Sequence, residues 1–113
     1  MLWHVVLMKP KAHLTAADRA AFAAAFERAL QKIPTVRDVS IGRRVTHGAG
    51  YERGMPDTAD YLAVIAFDNL EGLQTYLRHP AHEEIGVKFG ETLSSALVYD
   101  FDLTALDDVA KRG

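Results

Sequence analysis

Apolar positions along the chain change their spacing in an ordered way, and the spacing predicts the secondary structure. The segment from Leu2 to Met8 is almost entirely apolar, which predicts a strand that is covered on both faces. A capping threonine, Thr15, with an acid three residues on, Asp18, predicts a helix start, and Pro34 ends that helix. Its apolar stripe consists of Phe22, Phe26, Ala29, Leu30 and Ile33.

Three further segments have the composition of strands. Residues 36–45 alternate between apolar and polar side chains, and residues 61–67 are apolar on both sides. Residues 96–103 predict a fourth strand near the end of the chain. Between the second and third strands, residues 47–58 hold several glycines and little that could pack, which predicts a long loop.

Two helices are predicted between the third and fourth strands. Asp68 with Glu71 marks the start of a short helix through Leu77, and Pro80 starts another that runs to about Leu93. The resulting order of strand, helix, strand, strand, helix pair, strand is that of a ferredoxin-like βαββαβ fold of the α+β class. In such a fold the helices cover one face of the sheet.

The other face of the predicted sheet needs a partner, because three strands carry apolar residues on both sides. A second copy of the sheet is the simplest partner, so we expect an obligate homodimer that forms a dimeric α/β barrel. All 113 residues form one predicted domain, with a core at about 2–103 and a C-terminal tail at 104–113. The tail has helical composition and is expected to be ordered only against the partner subunit.

Composition narrows the partners and the chemistry. The net charge of -2 disfavours nucleic acid, and the absence of cysteine excludes disulfides and thiolate catalysis. The N-terminal apolar run is shorter than a signal-peptide core, and no run approaches the length of a membrane span. We therefore expect a soluble cytoplasmic protein without a membrane partner.

Candidate chemistry concentrates in residues 76–82, where two histidines and a phenol surround Pro80. His82 continues at helical spacing into an apolar stripe that is predicted to face the interior. The stripe consists of Ile85, Gly86, Phe89 and Leu93. Because histidine titrates near neutrality, His82 is either a hydrogen-bonded core residue, the favoured interpretation, or a catalytic base with Tyr76 as its phenol partner.

Other candidates have a structural and a ligand-binding interpretation. His79 is expected to cap a helix rather than to bind a ligand, and His4 shares a strand face that meets either a cavity or the dimer partner. Tyr61 is expected in the core or the interface, with ligand stacking as its alternative, and Phe89 is a candidate cavity wall. The spacing of His79 and His82 could serve a metal, but no third ligand is evident, so no metal site is predicted.

These segments together resemble the stress-responsive dimeric α/β-barrel (Dabb) family over about residues 2–103. The resemblance rests on residues 4–7, the passage 61–77, the His-Pro-Ala-His motif at 79–82 and the ending at 98–101. It implies the dimeric barrel, and it implies no single activity. One subset of the family cyclises polyketides without metal or organic cofactor, and its catalytic tyrosine and histidine would correspond to Tyr76 and His82. His4 also matches that subset, whereas Tyr61 replaces an expected histidine.

Three functions follow from these observations. The favoured one is a stress-response-type protein that binds a small apolar molecule in a cavity between sheet and helices. The alternative is a cofactor-independent cyclase or related enzyme that acts on an enolisable, polyketide-like carbonyl substrate through Tyr76 and His82. A third possibility is a purely structural dimer. An enzyme requires His82 and Tyr76 to line one apolar void that reaches solvent.

Overall fold

The computed structural model describes residues 1–56 and 59–112 of the chain. Its regular elements are β1 (Leu2–Pro10), α1 (Ala16–Lys32), β2 (Asp38–Arg43), β3 (Tyr61–Phe67), α2 (Leu70–Arg78), α3 (Pro80–Thr92), β4 (Leu93–Asp102) and α4 (Leu106–Arg112). The strands form one four-stranded antiparallel sheet in the order β2-β3-β1-β4. The predicted ferredoxin-like fold is therefore confirmed.

Strand register assigns each side chain of the sheet to one of two faces. The residues Leu2, His4, Val6 and Met8 of β1 are buried beneath the helices, and Ala63, Ile65 and Phe67 of β3 lie beside them. The alternate residues point to the outer face, since successive side chains of a strand alternate. These are Trp3, Val5 and Leu7 of β1, Leu62, Val64 and Ala66 of β3, and Leu97, Tyr99 and Phe101 of β4.

The helices begin where side chains can satisfy their first backbone N–H groups. Thr15 and Asp18 form a reciprocal capping box at α1, as predicted, and the helix ends at Lys32 with Ile33 as its C-cap. Helix α1 then buries Ala25, Phe26 and Ala29 against the sheet. Because this apolar face covers one side of the sheet only, the core lies in a single layer between sheet and helices.

Several predicted boundaries were wrong. Strand β4 begins at Leu93 rather than at residue 96. The N-cap of α2 is Asn69, whose side chain accepts from the Gly72 N–H, while the Asp68 carboxylate accepts from Arg37 instead. The predicted loop at 47–58 contains a 3-10 helix, Gly50–Gly54, and its residues 57 and 58 lie outside the described residues.

The stripe predicted for α3 is narrower than expected. Ile85 is buried and Phe89 is half-buried, but Gly86 is exposed because it falls beside the helix face that meets the sheet. The C-terminal tail forms α4 within its described residues, and Gly113 lies outside them. Leu106 at the start of α4 is 83% exposed.

Among the described residues, no helix is long and apolar enough to cross a membrane. The cytoplasmic location expected from the sequence stays a prediction.

Candidate functional site

A histidine and a carboxylate meet across the pairing of β1 with β4. His4 lies opposite Asp100 in the register, and its Nδ1 is 2.5 Å from Asp100 Oδ1. His4 is buried on the helix side of the sheet, whereas the Asp100 side chain is 42% exposed. The carboxylate therefore fixes the orientation of a core imidazole and keeps contact with solvent itself.

Tyr76 of α2 packs its ring over this histidine. The centroids of the His4 and Tyr76 rings are 5.7 Å apart in an edge-on arrangement, and the Phe67 ring lies 5.2 Å from Tyr76 on another side. Tyr76 is 1% exposed. Burial raises the pKa of the Tyr76 phenol well above its ordinary value, so the hydroxyl stays protonated near neutrality and can donate a hydrogen bond.

His82, in the first turn of α3, also contacts Tyr76. The two ring centroids are 4.8 Å apart, again edge-on, and His82 is half-buried. Burial, and secondarily the charge of His4, lowers the pKa of the His82 imidazole below 6.5. A neutral imidazole beside a protonated phenol is the state that base catalysis requires.

The Tyr76 hydroxyl and the His82 ring have no hydrogen-bond partner among the described residues. Among the described residues, every fully buried polar side-chain atom has a hydrogen-bond partner. Both groups therefore retain some access to a space outside the packed core. His4, Tyr76 and His82 together form a polar cluster, which we call the His–Tyr–His cluster.

His79 has a structural role. It is the N-cap of α3, and its Nδ1 accepts from the backbone N–H of Ala81 at 3.0 Å. The capping interpretation of this histidine is confirmed, and one of its ring nitrogens is occupied by the helix.

A cavity of about 600 Å³ lies elsewhere on the same helix-facing side of the sheet. Helix α1 forms one wall with Phe22, Phe26 and Leu30, and the opposite wall includes Met8, Ile41, Tyr61 and Leu93. The charged and polar residues that line the cavity are Lys11, His13, Arg19, Glu27, Asp60 and Thr92. The space is largely apolar and has polar groups at a limited number of positions, as small-molecule sites do.

The predicted site residues do not all surround one cavity. Of the predicted site residues, Tyr61 lines the cavity, whereas His4, Tyr76, His79, His82 and Phe89 do not. Phe89 supports the wall from behind, with its ring stacked 5.4 Å from Phe22. Met8 in the cavity is four residues along β1 from His4, roughly 13 Å at strand rise. The cavity and the His–Tyr–His cluster thus lie toward opposite ends of one interior layer.

Sequence reasoning missed Asp100 and most of the cavity lining. In the sequence, Asp100 is one polar residue between two aromatic residues of a strand. That it contacts His4 follows only once the β1–β4 register is known. Phe22, Phe26 and Leu30 were identified as a helix stripe, but the stripe alone does not distinguish a filled core from a cavity wall.

In the described part of the chain, no group of three or more His, Asp or Glu side chains is placed to hold a metal ion. His79 and His82 provide two histidines, and one nitrogen of His79 already accepts a hydrogen bond from the helix.

Comparison with known proteins identifies the architecture. The family model for the stress responsive A/B barrel domain (Dabb) matches residues 2–103. Olivetolic acid cyclase of Cannabis sativa is 24% identical over 98 residues, which are 87% of this chain and 92% of the cyclase.

Two solved structures share the fold at low sequence identity. A protein from Arabidopsis thaliana superposes with a TM-score of 0.77 at 21% identity, covering 94% of this chain and 98% of its own. A dimeric ferredoxin-like protein of unknown function from Thermobifida fusca gives a TM-score of 0.70 at 20% identity, covering 90% of both chains.

Proposed function

This chain belongs to the stress-responsive A/B barrel (Dabb) family, and from this premise we propose that it binds a small apolar molecule in the cavity between α1 and the sheet. The observation that carries the proposal is the cavity itself. Its volume of about 600 Å³ falls within the range of ligand pockets, and aromatic and aliphatic side chains form most of its surface.

The physical driving force for binding is burial of apolar ligand surface. The cavity opens to solvent, since Ile41 in its wall is 60% exposed, so a ligand that enters covers apolar surface that water otherwise contacts. The Phe89 ring of α3 stacks on Phe22 and so supports the α1 wall of the cavity. A ligand that fills the cavity gains contact with this wall without large rearrangement.

Titration with N-phenyl-1-naphthylamine, a neutral apolar fluorescent probe, tests the proposal. Saturable binding is expected for the wild type. Ala23 lines the cavity on α1, so Ala23→Trp should fill it and weaken probe binding at least tenfold. Ala20 lies on the same helix outside the cavity and is exposed, which makes Ala20→Trp the matched control. Absence of saturable binding, or equal binding by both variants, would overturn the proposal.

We also propose a homodimer formed through the outer face of the sheet. Trp3, Tyr99 and Phe101 are 40%, 50% and 52% exposed there, and their neighbours on the two middle strands are also apolar. Asp38 and Ser40 of β2 make one margin of this face polar. Exposed apolar patches of this kind mark interfaces. The Thermobifida fusca relative, which shares the fold, is dimeric, and this supports the same assembly here.

A second candidate function is cofactor-independent catalysis on an enolisable, polyketide-like carbonyl substrate. Tyr76 and His82 do not line the cavity, so a substrate would have to approach them from the solvent-facing side of the half-buried His82. The edge-on contact of Tyr76 with His82 at 4.8 Å favours this function, together with the lowered pKa of His82. His82 would remove a proton from the carbon next to the carbonyl, and the Tyr76 hydroxyl would donate a hydrogen bond to the resulting enolate oxygen. The enolate carbon would then attack a second carbonyl of the same chain, as in an aldol cyclisation.

Proton exchange separates this candidate from binding alone. A 3,5-dioxo ester in heavy-water buffer should acquire deuterium at its acidic carbons faster with the protein present than without it. NMR follows the exchange. His82→Ala should abolish the acceleration, whereas His47→Ala should keep it because His47 is exposed on a separate loop. An acceleration that survives His82→Ala would exclude His82 as the base.

A further inference from the structure

Charged side chains at the cavity are distributed unevenly. The cationic ones, Lys11 and Arg19, come from a short stretch that spans the β1–α1 connection and the first turn of α1, and His13 lies between them. The acidic ones, Glu27 and Asp60, come from the middle of α1 and from the residue before β3. The β1–α1 end of the cavity is therefore its basic end.

Both acidic side chains at the cavity have partners within the protein. Asp60 lies 3.8 Å from the Lys9 ammonium, and Glu27 accepts from the Gln31 side-chain amide at 3.4 Å. Glu27 is also eight residues from Arg19 along α1, roughly 12 Å at helical rise. Asp60 is therefore paired with Lys9, and neither acid forms an ion pair with Arg19 among the described residues.

Arg19 is available to a ligand. It is exposed, and its guanidinium makes no hydrogen bond or ion pair with any residue that the structure describes. Lys11, in contrast, donates its ammonium to the Gly90 carbonyl at 3.1 Å and its backbone N–H to Thr92 at 2.8 Å. Lys11 thus anchors the connection to α3, while Arg19 keeps its five N–H donors free for a planar anion.

The backbone at His13 is in an uncommon conformation. Its φ of 67° is in the left-handed region, where a residue with a Cβ rarely lies, and it is the one such non-glycine residue in the described chain. Strained residues persist where the surrounding structure holds them, and they are frequent at ligand sites. Here the conformation places His13 at the same basic end as Arg19.

We infer that the ligand of this cavity is an apolar carboxylate, whose alkyl or aryl body fills the space and whose carboxylate pairs with Arg19. The inference rests on the proposed binding function and adds the chemical class of the ligand. The guanidinium fits a carboxylate through two parallel N–H donors, and the aromatic wall at Phe22 and Phe26 accepts the apolar body.

Calorimetric titration with decanoate and with decanol, both below their aggregation limits, tests the inference. The two probes share the alkyl chain and differ in the charge of the head group. We expect the wild type to bind decanoate about tenfold more tightly than decanol, as a charge-assisted hydrogen bond would give. Arg19→Met should weaken decanoate binding about tenfold and so remove that difference.

Lys32→Met serves as the control, because Lys32 is an exposed cation in the last turn of the same helix and does not line the cavity. It should preserve the preference for decanoate. Equal affinity of the wild type for both probes, or an unchanged preference in Arg19→Met, would overturn the inference while leaving apolar binding intact. Failure of both probes to bind would overturn the inference and the proposed function together.

Discussion

The Nδ1 atom of His4 and the Oδ1 atom of Asp100 lie 2.5 Å apart across neighbouring antiparallel strands. This contact explains how an imidazole can occupy the interior face of β1 between Leu2 and Val6. A buried polar group without a partner would cost free energy, and Asp100 supplies the partner from the edge strand. The same contact holds the His4 ring against Tyr76.

Removing the carboxylate should therefore destabilise the fold. Asp100→Ala leaves a ring nitrogen of His4 without its partner, and we expect the free energy of unfolding to fall by about 1–3 kcal/mol. Urea denaturation measures the change. Asp102→Ala removes an exposed carboxylate from the same strand and should stay within about 0.5 kcal/mol of the wild type. Equal effects of the two substitutions would contradict a specific role for Asp100.

The sequence allowed the elements of the fold to be predicted but not this contact. Periodicity and caps indicate β1 and α1 because they depend on residues that are close along the chain, such as Thr15 and Asp18. The His4–Asp100 pair joins residues 96 positions apart. Its formation depends on strand register, since a shift of one residue would turn Asp100 to the outer face.

The cavity was beyond sequence analysis for a related reason. The stripe of Phe22, Phe26 and Leu30 predicts an interior helix face, and the structure places it there. Whether such a face meets closely packed partners depends on the separation of helix and sheet, which side-chain periodicity does not encode. The predicted Tyr76 and His82 do come together, but near His4 rather than at this cavity.

Acidification should reveal the environment of His82. Because burial and His4 lower its pKa below 6.5, its NMR titration midpoint should lie below that of a free histidine. The folded state then binds fewer protons than the unfolded state as pH falls through 6.5. The stability that the neutral ring contributes is present above pH 6.5 and is lost progressively below it. A midpoint at or above 6.5 would contradict the burial of this ring.

The helix-capping role of His79 can be distinguished from a role in ligand binding. His79→Ala removes the acceptor for the Ala81 N–H and should lower the free energy of unfolding by about 0.5–2 kcal/mol, as other N-cap losses do. His79→Asn supplies another good cap and should retain most of the stability. Urea denaturation compares the two variants. Binding of the apolar probe should be the same in His79→Asn and wild type, since His79 does not line the cavity.

A single charge on the outer face of the sheet should dissociate the proposed dimer. Val64 lies at the centre of this face, opposite Val5 in the register of the two middle strands. In a dimer closed through this face, Val64→Asp would bury an unpaired carboxylate, which costs several kcal/mol. We expect wild type to sediment at twice the 12.5 kDa chain mass and Val64→Asp to sediment as a monomer.

Val87 provides the control for this substitution. It is 60% exposed on α3, away from the outer face of the sheet, so Val87→Asp should remain dimeric. A wild type that sediments as a monomer at micromolar concentration would contradict the proposed assembly. A dimeric Val64→Asp would show instead that the copies associate through another surface, and the exposed Leu106 and Val109 of α4 would be the next apolar positions to test.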